Sequence, residues 1–220
     1  MKAIVVAGGD AAPEDAAQLT GADLVIAADS GAAWLDSVGR QPDLVIGDMD
    51  SISPDLLERL EARGVTVESH PPDKEASDAE LAVARAVAMG ANEIVILGGF
   101  GGQRLDHELA NLLLLTEGWK GAELRLVRGA TTARAIHGAR RLELEAGAGD
   151  LVTLLPLAGA ATGVRTHGLR YPLDGETLYL GRSRGLSNLI EEAPASVSLE
   201  EGMLLIIETR KEPDRDHHSR

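Results

Sequence analysis

The chain has 220 residues, of which 44% are hydrophobic, and this length allows one large domain or two small domains, each with its own core. Asp and Glu total 35 against 21 Lys and Arg, and the formal net charge of -14 argues against a general nucleic-acid binder, which needs a basic face. Because the chain has no cysteine, disulfides, thiolate zinc sites, iron–sulfur clusters and cysteine nucleophiles are excluded, and the reducing cytoplasm is the expected location.

The first 127 residues alternate short apolar runs, rich in Val and Ile, with helical patterns. Buried strands are predicted at residues 3–7, 24–28, 44–46, 65–68, 94–97 and 124–127. Helices are predicted at residues 54–63, 77–89 and 105–116. Pro54 suits a first helical turn, and Ser77 with Glu80 fits a capping box. This alternation is typical of an α/β domain with a mostly parallel sheet and helices on its faces.

After about residue 129 the pattern changes to short alternating stretches between Gly, Pro and Asp turns. Strands are predicted at residues 141–145, 151–155, 163–169, 177–180, 196–199 and 203–209. We therefore expect an α/β domain over residues 1–130, an all-β sandwich over residues 131–210, and a disordered tail over residues 211–220. The longest apolar runs fall far short of the roughly 20 residues of a membrane helix, so no membrane partner is expected.

Glycines and carboxylates follow four of the predicted parallel strands. They lie at residues 8–10, 29–31, 47–51 and 98–102. Each loop taken singly is explained by turn chemistry, because Gly, Asp and Ser are common turn formers. Since ligands of open parallel sheets bind beyond the carboxyl ends of the strands, the four loops together predict a binding site at this edge.

Asp48 and Asp50 are the most informative pair in these loops. If the chain stays extended through them, residues two apart project to the same face and bring two carboxylates side by side. Such neighbours repel unless a cation lies between them, and oxygen ligands favour a hard ion such as Mg²⁺. The alternative is an exposed turn in which Asp50 caps toward Ser51.

The stretch from residue 98 to residue 107 indicates an anion site. Its glycines allow backbone N–H groups to face a phosphate, and the helix that follows adds its positive end. Arg104 supplies a cation suited to bidentate contact, while Asp106 and His107 begin the helix. His107 is alternatively explained by a bond to Asn111, one turn further on. The spacing fits neither the dinucleotide fingerprint nor the Walker A loop.

Three other features carry a weaker signal. Asp78 stands in a first helical turn, where a carboxylate is stabilised by the helix dipole without any ligand. Lys74 in the preceding loop is also explained as a solvated side chain. The polar loop at residues 185–188 fits either a surface turn or a ligand contact.

In order and spacing these segments resemble the thiamine pyrophosphokinase family. The matching motifs are Asp29-Ser30-Gly31, Gly47-Asp48-Met49-Asp50-Ser51, residues 74–78, Gly98-Gly99, Arg104-Leu105-Asp106-His107 with Asn111, residues 168–173, and Gly185-Leu186-Ser187-Asn188. The resemblance implies a nucleotide-binding α/β domain, a thiamine-binding and dimerisation β-sandwich, and a homodimer with active sites between subunits. It also implies Mg²⁺-dependent transfer of the terminal diphosphate of ATP to the hydroxyl of thiamine, leaving AMP.

The same resemblance implies roles for individual residues. The metal and catalytic carboxylates would be Asp48, Asp50 and Asp78. Asp106, with Arg104 as a catalytic partner, would lie near the thiamine hydroxyl, and Ser187 and Asn188 would face the thiamine. The implied nucleotide-binding residues are Asp29, Ser30, Lys74, Gly99, Arg104 and His107.

Three alternatives remain open from the sequence. Residues 44–51 also resemble the apolar strand and Asp-x-Asp nucleophile of haloacid-dehalogenase-type phosphatases. A pyrophosphokinase acting on a pterin alcohol would share most of these motifs. A nucleotide- or thiamine-binding regulator without turnover is the third alternative, although such a protein has less need of metal-binding carboxylates.

Overall fold

A computed structural model describes residues 1–211, which form two compact units, one over Met1–Gly129 and one that begins at Ala130. The predicted tail therefore lies, apart from Lys211, outside the described residues. Within the described part of the chain, no helix has the length and apolar character needed to cross a membrane.

The first unit is a parallel sheet flanked by helices. Its strands are β1 (Lys2–Val6), β2 (Leu24–Ala28), β3 (Leu44–Gly47), β4 (Thr66–Ser69), β5 (Glu93–Leu97) and β6 (Glu123–Arg128). Its helices are α1 (Gly31–Ser37), α2 (Pro54–Ala62), α3 (Asp78–Ala88) and α4 (Leu105–Leu113). Short 3₁₀ turns are formed by Pro13–Leu19, Leu114–Thr116 and Trp119–Gly121. All neighbouring strands pair in parallel, as the alternating sequence pattern predicts.

The strand order β6-β5-β1-β2-β3-β4 places a topological switch between β1 and β5. The chain runs outward from β1 to β4 and then returns to the other side of β1 to form β5 and β6. The loops that leave β1 and β5 therefore depart from neighbouring strands toward opposite faces, which opens a crevice between them.

The interior of the sheet explains why these segments form strands. Every residue of β2 is buried, and β1 and β5 are buried at all positions except their first. Helix α3 covers them with four small buried side chains, Ala79, Ala82, Val83 and Ala86. The Ser77 hydroxyl accepts the backbone N–H of Glu80 at 3.2 Å, which caps this helix at the predicted position.

The second unit is an antiparallel β-sandwich, and the predicted fold class is thereby confirmed. Its strands are β7 (Thr131–His137), β8 (Arg140–Glu143), β9 (Leu151–Pro156), β10 (Ala161–His167), β11 (Asp174–Leu178), β12 (Asn188–Leu189), β13 (Ser196–Leu199) and β14 (Met203–Thr209). One sheet has the order β12-β9-β14-β7 and the other β11-β10-β13-β8. Apolar side chains from both sheets, such as Leu154, Val164 and Ile206, share one core.

Several elements differ from the sequence prediction, among them β12, whose two residues are too few to show a pattern. Helix α1 was not predicted, because seven residues contain too few apolar positions to show a helical period. Strand β7 was not predicted either, because its buried side chains, Ala133 and Ile136, are three residues apart and do not alternate.

A buried carboxylate ties the segment after β1 to the end of β6. Asp15 is only 2% exposed, and its oxygens accept the backbone N–H groups of Ala12 and Gly129, each at 2.7 Å. Burial raises the pKa of Asp15, while the two backbone hydrogen bonds act in the opposite direction. The side chain therefore fixes two segments that border the crevice.

We expect Asp15→Ala to lower the free energy of unfolding by about 3 kcal/mol, because two partly buried N–H groups would lose their acceptors and the buried carboxylate would be replaced by a smaller side chain. Urea denaturation followed by circular dichroism measures this loss. The matched control is Asp36→Ala, which removes only a partly exposed ion pair with Arg59 and should cost at most about 1 kcal/mol. Equal losses in the two variants would contradict the assigned role of Asp15.

Candidate functional site

A cavity of about 1040 Å³ lies at the carboxyl edge of the parallel sheet. It is lined by the loops that follow β1, β2, β3 and β5, by the segment before α3, and by α4. From the central loops and α3 it takes the predicted residues Asp29, Ser30, Asp48, Lys74 and Asp78. From the β5–α4 segment it takes the predicted residues Gly99, Arg104 and His107. The structure thus brings together the strand ends that the sequence singled out.

Three carboxylates form a compact acidic cluster. One oxygen each from Asp29, Asp48 and Asp50 lies within 4.8 Å of the others. Asp29 is 9% exposed, and its Oδ1 atom is buried without a hydrogen-bond partner among the described residues. Burial raises the pKa of Asp29, hydrogen bonds from Ser51 and Ser30 oppose this, and neighbouring carboxylates raise it further. A buried oxygen without a donor, close to other carboxylates, suits a hard cation.

The backbone between Asp48 and Asp50 is not extended, so the predicted geometry of this pair is wrong. Met49 adopts a left-handed conformation with φ of 65°, and the Asp50 N–H donates to Asp48 Oδ1 at 3.2 Å. The two carboxylates approach through this tight turn instead of through strand alternation. The Ser51 hydroxyl also donates to Asp50 Oδ1 at 2.8 Å. The contact between Asp50 and Ser51 that the alternative turn predicted is therefore present together with the acidic cluster.

Lys74 places a cation beside these carboxylates. Its Nζ lies 2.8 Å from Asp78 Oδ1 and 4.0 Å from Asp48 Oδ2, and its side chain is 13% exposed. Burial acts to lower the pKa of Lys74, but the carboxylates of Asp78, Asp48 and Asp29 outweigh this and raise it. The ammonium is therefore held in place and charged, and Asp78, predicted as a metal ligand, is paired with it.

The loops after β1 and β5 pack backbone against backbone. The Gly9 N–H donates to the Gly98 carbonyl at 2.9 Å, and a Cβ at position 9 would lie 2.4 Å from that oxygen. Gly98 has φ of 63°, and a Cβ there would lie 2.6 Å from the Ala7 carbonyl. Both positions require glycine, because any side chain would separate the two loops.

Asn111 supports the glycine loop from inside the cavity. Its Nδ2 donates to the Gly99 carbonyl at 2.9 Å, and the side chain is buried. The contact expected between His107 and Asn111 is thus replaced by one between Asn111 and the loop. The sequence contains the residue, but the use of its amide depends on how α4 lies against the loop.

Arg104 lines the cavity and pairs with Asp106, which is exposed and is not among the lining residues. Arg104 Nε lies 2.9 Å from Asp106 Oδ1, and Nη2 lies 2.6 Å from Oδ2, which is a bidentate pair between exposed side chains. Each charge favours the other: the hydrogen bond from Arg104 holds the pKa of Asp106 well below its usual range, and Asp106 raises the pKa of Arg104. Both side chains are therefore ionised, and both are exposed to ligands.

Ser187 and Asn188 belong to the second unit. Ser187 has φ of 55°, and its N–H donates to Thr153 Oγ1 at 3.0 Å. Asn188 is 5% exposed; its Nδ2 donates to the Tyr171 carbonyl at 2.7 Å, and its Oδ1 accepts the N–H groups of Tyr171 and Leu189 at 3.1 and 2.9 Å. The amide of Asn188 is thus engaged by backbone, so this residue holds the segment of Tyr171 beside Ser187.

We expect Gly9→Ala to lower the free energy of unfolding by about 2 kcal/mol, because the new methyl group would force apart the loops after β1 and β5. Gly118→Ala is the matched control, since it has φ of -78° and no atom within 4 Å of the added Cβ. It should leave stability unchanged or raise it by up to about 1 kcal/mol. Thermal unfolding of the two variants measures the difference. Equal midpoints would contradict the close packing of the loops after β1 and β5.

Comparisons with known proteins identify the family of the chain. Residues 16–127 match the family described as "Thiamin pyrophosphokinase, catalytic domain", and residues 140–204 match "Thiamin pyrophosphokinase, vitamin B1 binding domain". The first match covers the α/β unit from residue 16 onward, with most of the residues that line the cavity, and the second covers most of the β-sandwich.

Individual relatives point to the same family. The chain is 27% identical to "Thiamine pyrophosphokinase" of Bacillus subtilis over 186 residues, covering 84% of this chain and 86% of the relative. It is also 27% identical to "Thiamine pyrophosphokinase 1" of Oryza sativa over 186 residues, covering 77% of this chain and 67% of the relative.

Among solved structures, the crystal structure of thiamine pyrophosphokinase from Bacillus subtilis superimposes with a TM-score of 0.86 and 26% identity. The match covers 96% of this chain and 100% of that one. With its catalytic and vitamin B1 binding domains in this order, the chain belongs to the thiamin pyrophosphokinase family of enzymes.

Proposed function

We propose that the protein transfers the terminal diphosphate of ATP to the primary hydroxyl of thiamine, in a Mg²⁺-dependent reaction that yields thiamine diphosphate and AMP. The observation that carries this proposal is the cavity at the switch between β1 and β5, which is lined by Asp29 and Asp48 of the acidic cluster, by a glycine loop, and by Lys74 and Arg104. Its location in the part of the chain that matches the family's catalytic domain supports the same reaction.

The acidic cluster fits the proposed metal. Asp48 and Asp50 would hold Mg²⁺, with Asp29 supplying a buried oxygen that has no hydrogen-bond partner among the described residues, and Asp78 adjoining them. Bound there, Mg²⁺ would offset negative charge on the phosphate oxygens of ATP. Oxygen ligands alone favour this ion over zinc or copper, which prefer nitrogen and sulfur donors.

The chain's own cations and N–H groups would bind the rest of the polyphosphate. The glycine loop at residues 98–102 presents backbone to the cavity, and Lys74 and Arg104 add two positive charges. In phosphoryl-type transfer the protein chiefly aligns the reactants and stabilises charge on the equatorial oxygens. Ser30 and His107 line the same cavity and are proposed to contact the nucleotide.

Asp106 is proposed to orient the thiamine hydroxyl. Its carboxylate is ionised, because Arg104 holds its pKa low, so it accepts a hydrogen bond from the hydroxyl. The hydroxyl oxygen forms a bond to the β-phosphorus and releases its proton to solvent, the bond from that phosphorus to the oxygen bridging the α-phosphate breaks, and AMP departs with that oxygen. In the structure, both carboxylate oxygens of Asp106 accept hydrogen bonds from Arg104. When Arg104 turns toward the phosphates of ATP, these oxygens become available to accept a hydrogen bond from the thiamine hydroxyl.

The proposal also covers the partners and location of the protein. Ser187 would contribute to the thiamine site, with Asn188 holding the segment around it. A homodimer with active sites between subunits follows from the resemblance of the motifs. A cytoplasmic location is supported by the absence of cysteine from the sequence.

A single assay separates this function from its alternatives. Purified protein is incubated with ATP, Mg²⁺ and thiamine, and the products are separated by chromatography. We expect AMP and thiamine diphosphate in equal amounts. Turnover only with a pterin alcohol, release of free phosphate from esters, or binding without products would each contradict the proposal.

We expect Asp48→Asn and Asp50→Asn each to lower kcat by about 100-fold or more. Each substitution removes a negative charge that would help bind Mg²⁺, and a weakly bound Mg²⁺ would stabilise less of the charge that develops on the phosphate oxygens. Their thermal midpoints should stay close to that of the unchanged protein. Mn²⁺ binding followed by electron paramagnetic resonance should weaken in parallel, which tests the metal site independently of activity. The control is Asp36→Asn, whose carboxylate pairs with Arg59 and does not line the cavity. Normal rates in both cluster variants would remove Asp48 and Asp50 from the metal site.

A further inference from the structure

Arg128, the last residue of β6, contacts two loops of the cavity from outside. Its Nε donates to the Asp10 carbonyl at 3.0 Å, and its Nη2 lies 3.6 Å from Asp10 Oδ2. Its guanidinium also lies against Gly101, where an added Cβ would be 2.5 Å from the guanidinium carbon. Asp10 and Gly101 both line the cavity, and Arg128 is absent from that lining. The side chain therefore bridges the loops after β1 and β5 without facing the ligand space.

The loops that Arg128 bridges need support. Four of the five residues at positions 98–102 are glycine, and a glycine-rich loop loses more conformational entropy on ordering than any other. If the loop were disordered in the free protein, each ligand would have to supply that ordering cost. Asn111 holds the loop at Gly99 from the inside, and Arg128 lies against Gly101 on the outside.

We propose that Arg128 is a positioning residue that keeps these two loops in the conformation that binds the polyphosphate of the nucleotide. The proposal rests on the function proposed above and adds a determinant of nucleotide affinity that none of the motifs contains. Arginine suits this position, because its guanidinium fills the space that a Cβ of residue 101 would take, while its Nε donates to the Asp10 carbonyl. A lysine side chain has no Nε–H donor at this place, so it would keep the charge but lose the hydrogen bond to Asp10.

The test compares Arg128→Met and Arg128→Lys with the unchanged protein. We expect the KM for ATP, and the Kd of a nonhydrolysable ATP analogue with Mg²⁺, to rise about five- to tenfold in Arg128→Met. The KM for thiamine should stay within twofold, and Arg128→Lys should recover only part of the loss. Arg59→Met is the matched control, because Arg59 is an exposed arginine with an ion pair to Asp36, which does not line the cavity.

A second readout needs no ligand. Amide hydrogen exchange at residues 98–102 should be faster in Arg128→Met and unchanged in Arg59→Met. If the wild-type protein gives no AMP with ATP and thiamine, the proposed function fails. Hydrogen exchange at residues 98–102 still tests whether Arg128 positions this loop. Unchanged exchange together with an unchanged Kd for the analogue would overturn the role of Arg128. So would a KM for thiamine that rises as much as the KM for ATP, since that pattern indicates general damage.

A double-mutant cycle with Gly101 guards against a variant that folds poorly. Gly101→Ala places a methyl group where the guanidinium now lies, so it should weaken binding of the analogue less in the Arg128→Met background than in the unchanged protein. Additive effects in this cycle would show that the two positions are not coupled and would overturn the proposal.

Discussion

The carboxylates of Asp29, Asp48 and Asp50 repel one another, yet the fold holds their oxygens within 4.8 Å at one edge of the sheet. The strands that precede these residues hold the carboxylates close together. Strands β2 and β3 are neighbours with fully buried side chains, and the Asp29 N–H donates to the Ile46 carbonyl at 2.9 Å. Lys74 offsets part of the repulsion, but one ammonium does not neutralise several carboxylates. A cation that binds there would therefore stabilise the folded state as well as the reaction.

An acidic chain that binds a polyphosphate needs positive charge and hydrogen-bond donors close to the phosphates, because its net charge repels them. The formal net charge of -14 disfavours approach of an anion, so attraction has to come from short-range contacts within the cavity. Backbone N–H groups in glycine loops meet this need without adding side chains, and Lys74 and Arg104 add two positive charges. Because Asp106 already pairs with Arg104, this arginine keeps its position in the free protein.

The sequence predicts the fold better than it predicts the details of the site. Buried parallel strands are visible as Val and Ile runs, and the cap at Ser77 follows from local hydrogen-bond chemistry. The sequence also indicates which loops gather, because parallel strand ends share an edge. The left-handed turn at Met49 was not predictable, since few residues other than glycine adopt that conformation. The contacts of Asn111 and Arg128 were not predictable either, because each depends on how another element packs against a loop.

These unpredicted contacts all hold backbone segments of the proposed site in place. Residues proposed to touch the substrates follow strand ends and stand in compact motifs, so their types and spacing reveal them. Residues that hold those motifs bind backbone: Asn111 binds the Gly99 carbonyl, Arg128 the Asp10 carbonyl, and Asn188 the N–H and carbonyl of Tyr171. A backbone acceptor has no side-chain identity, so nothing in the sequence of the loop records which residue supports it. The motifs include Asn111 and Asn188 but not Arg128, and only the three-dimensional arrangement shows which backbone groups each of the three side chains supports.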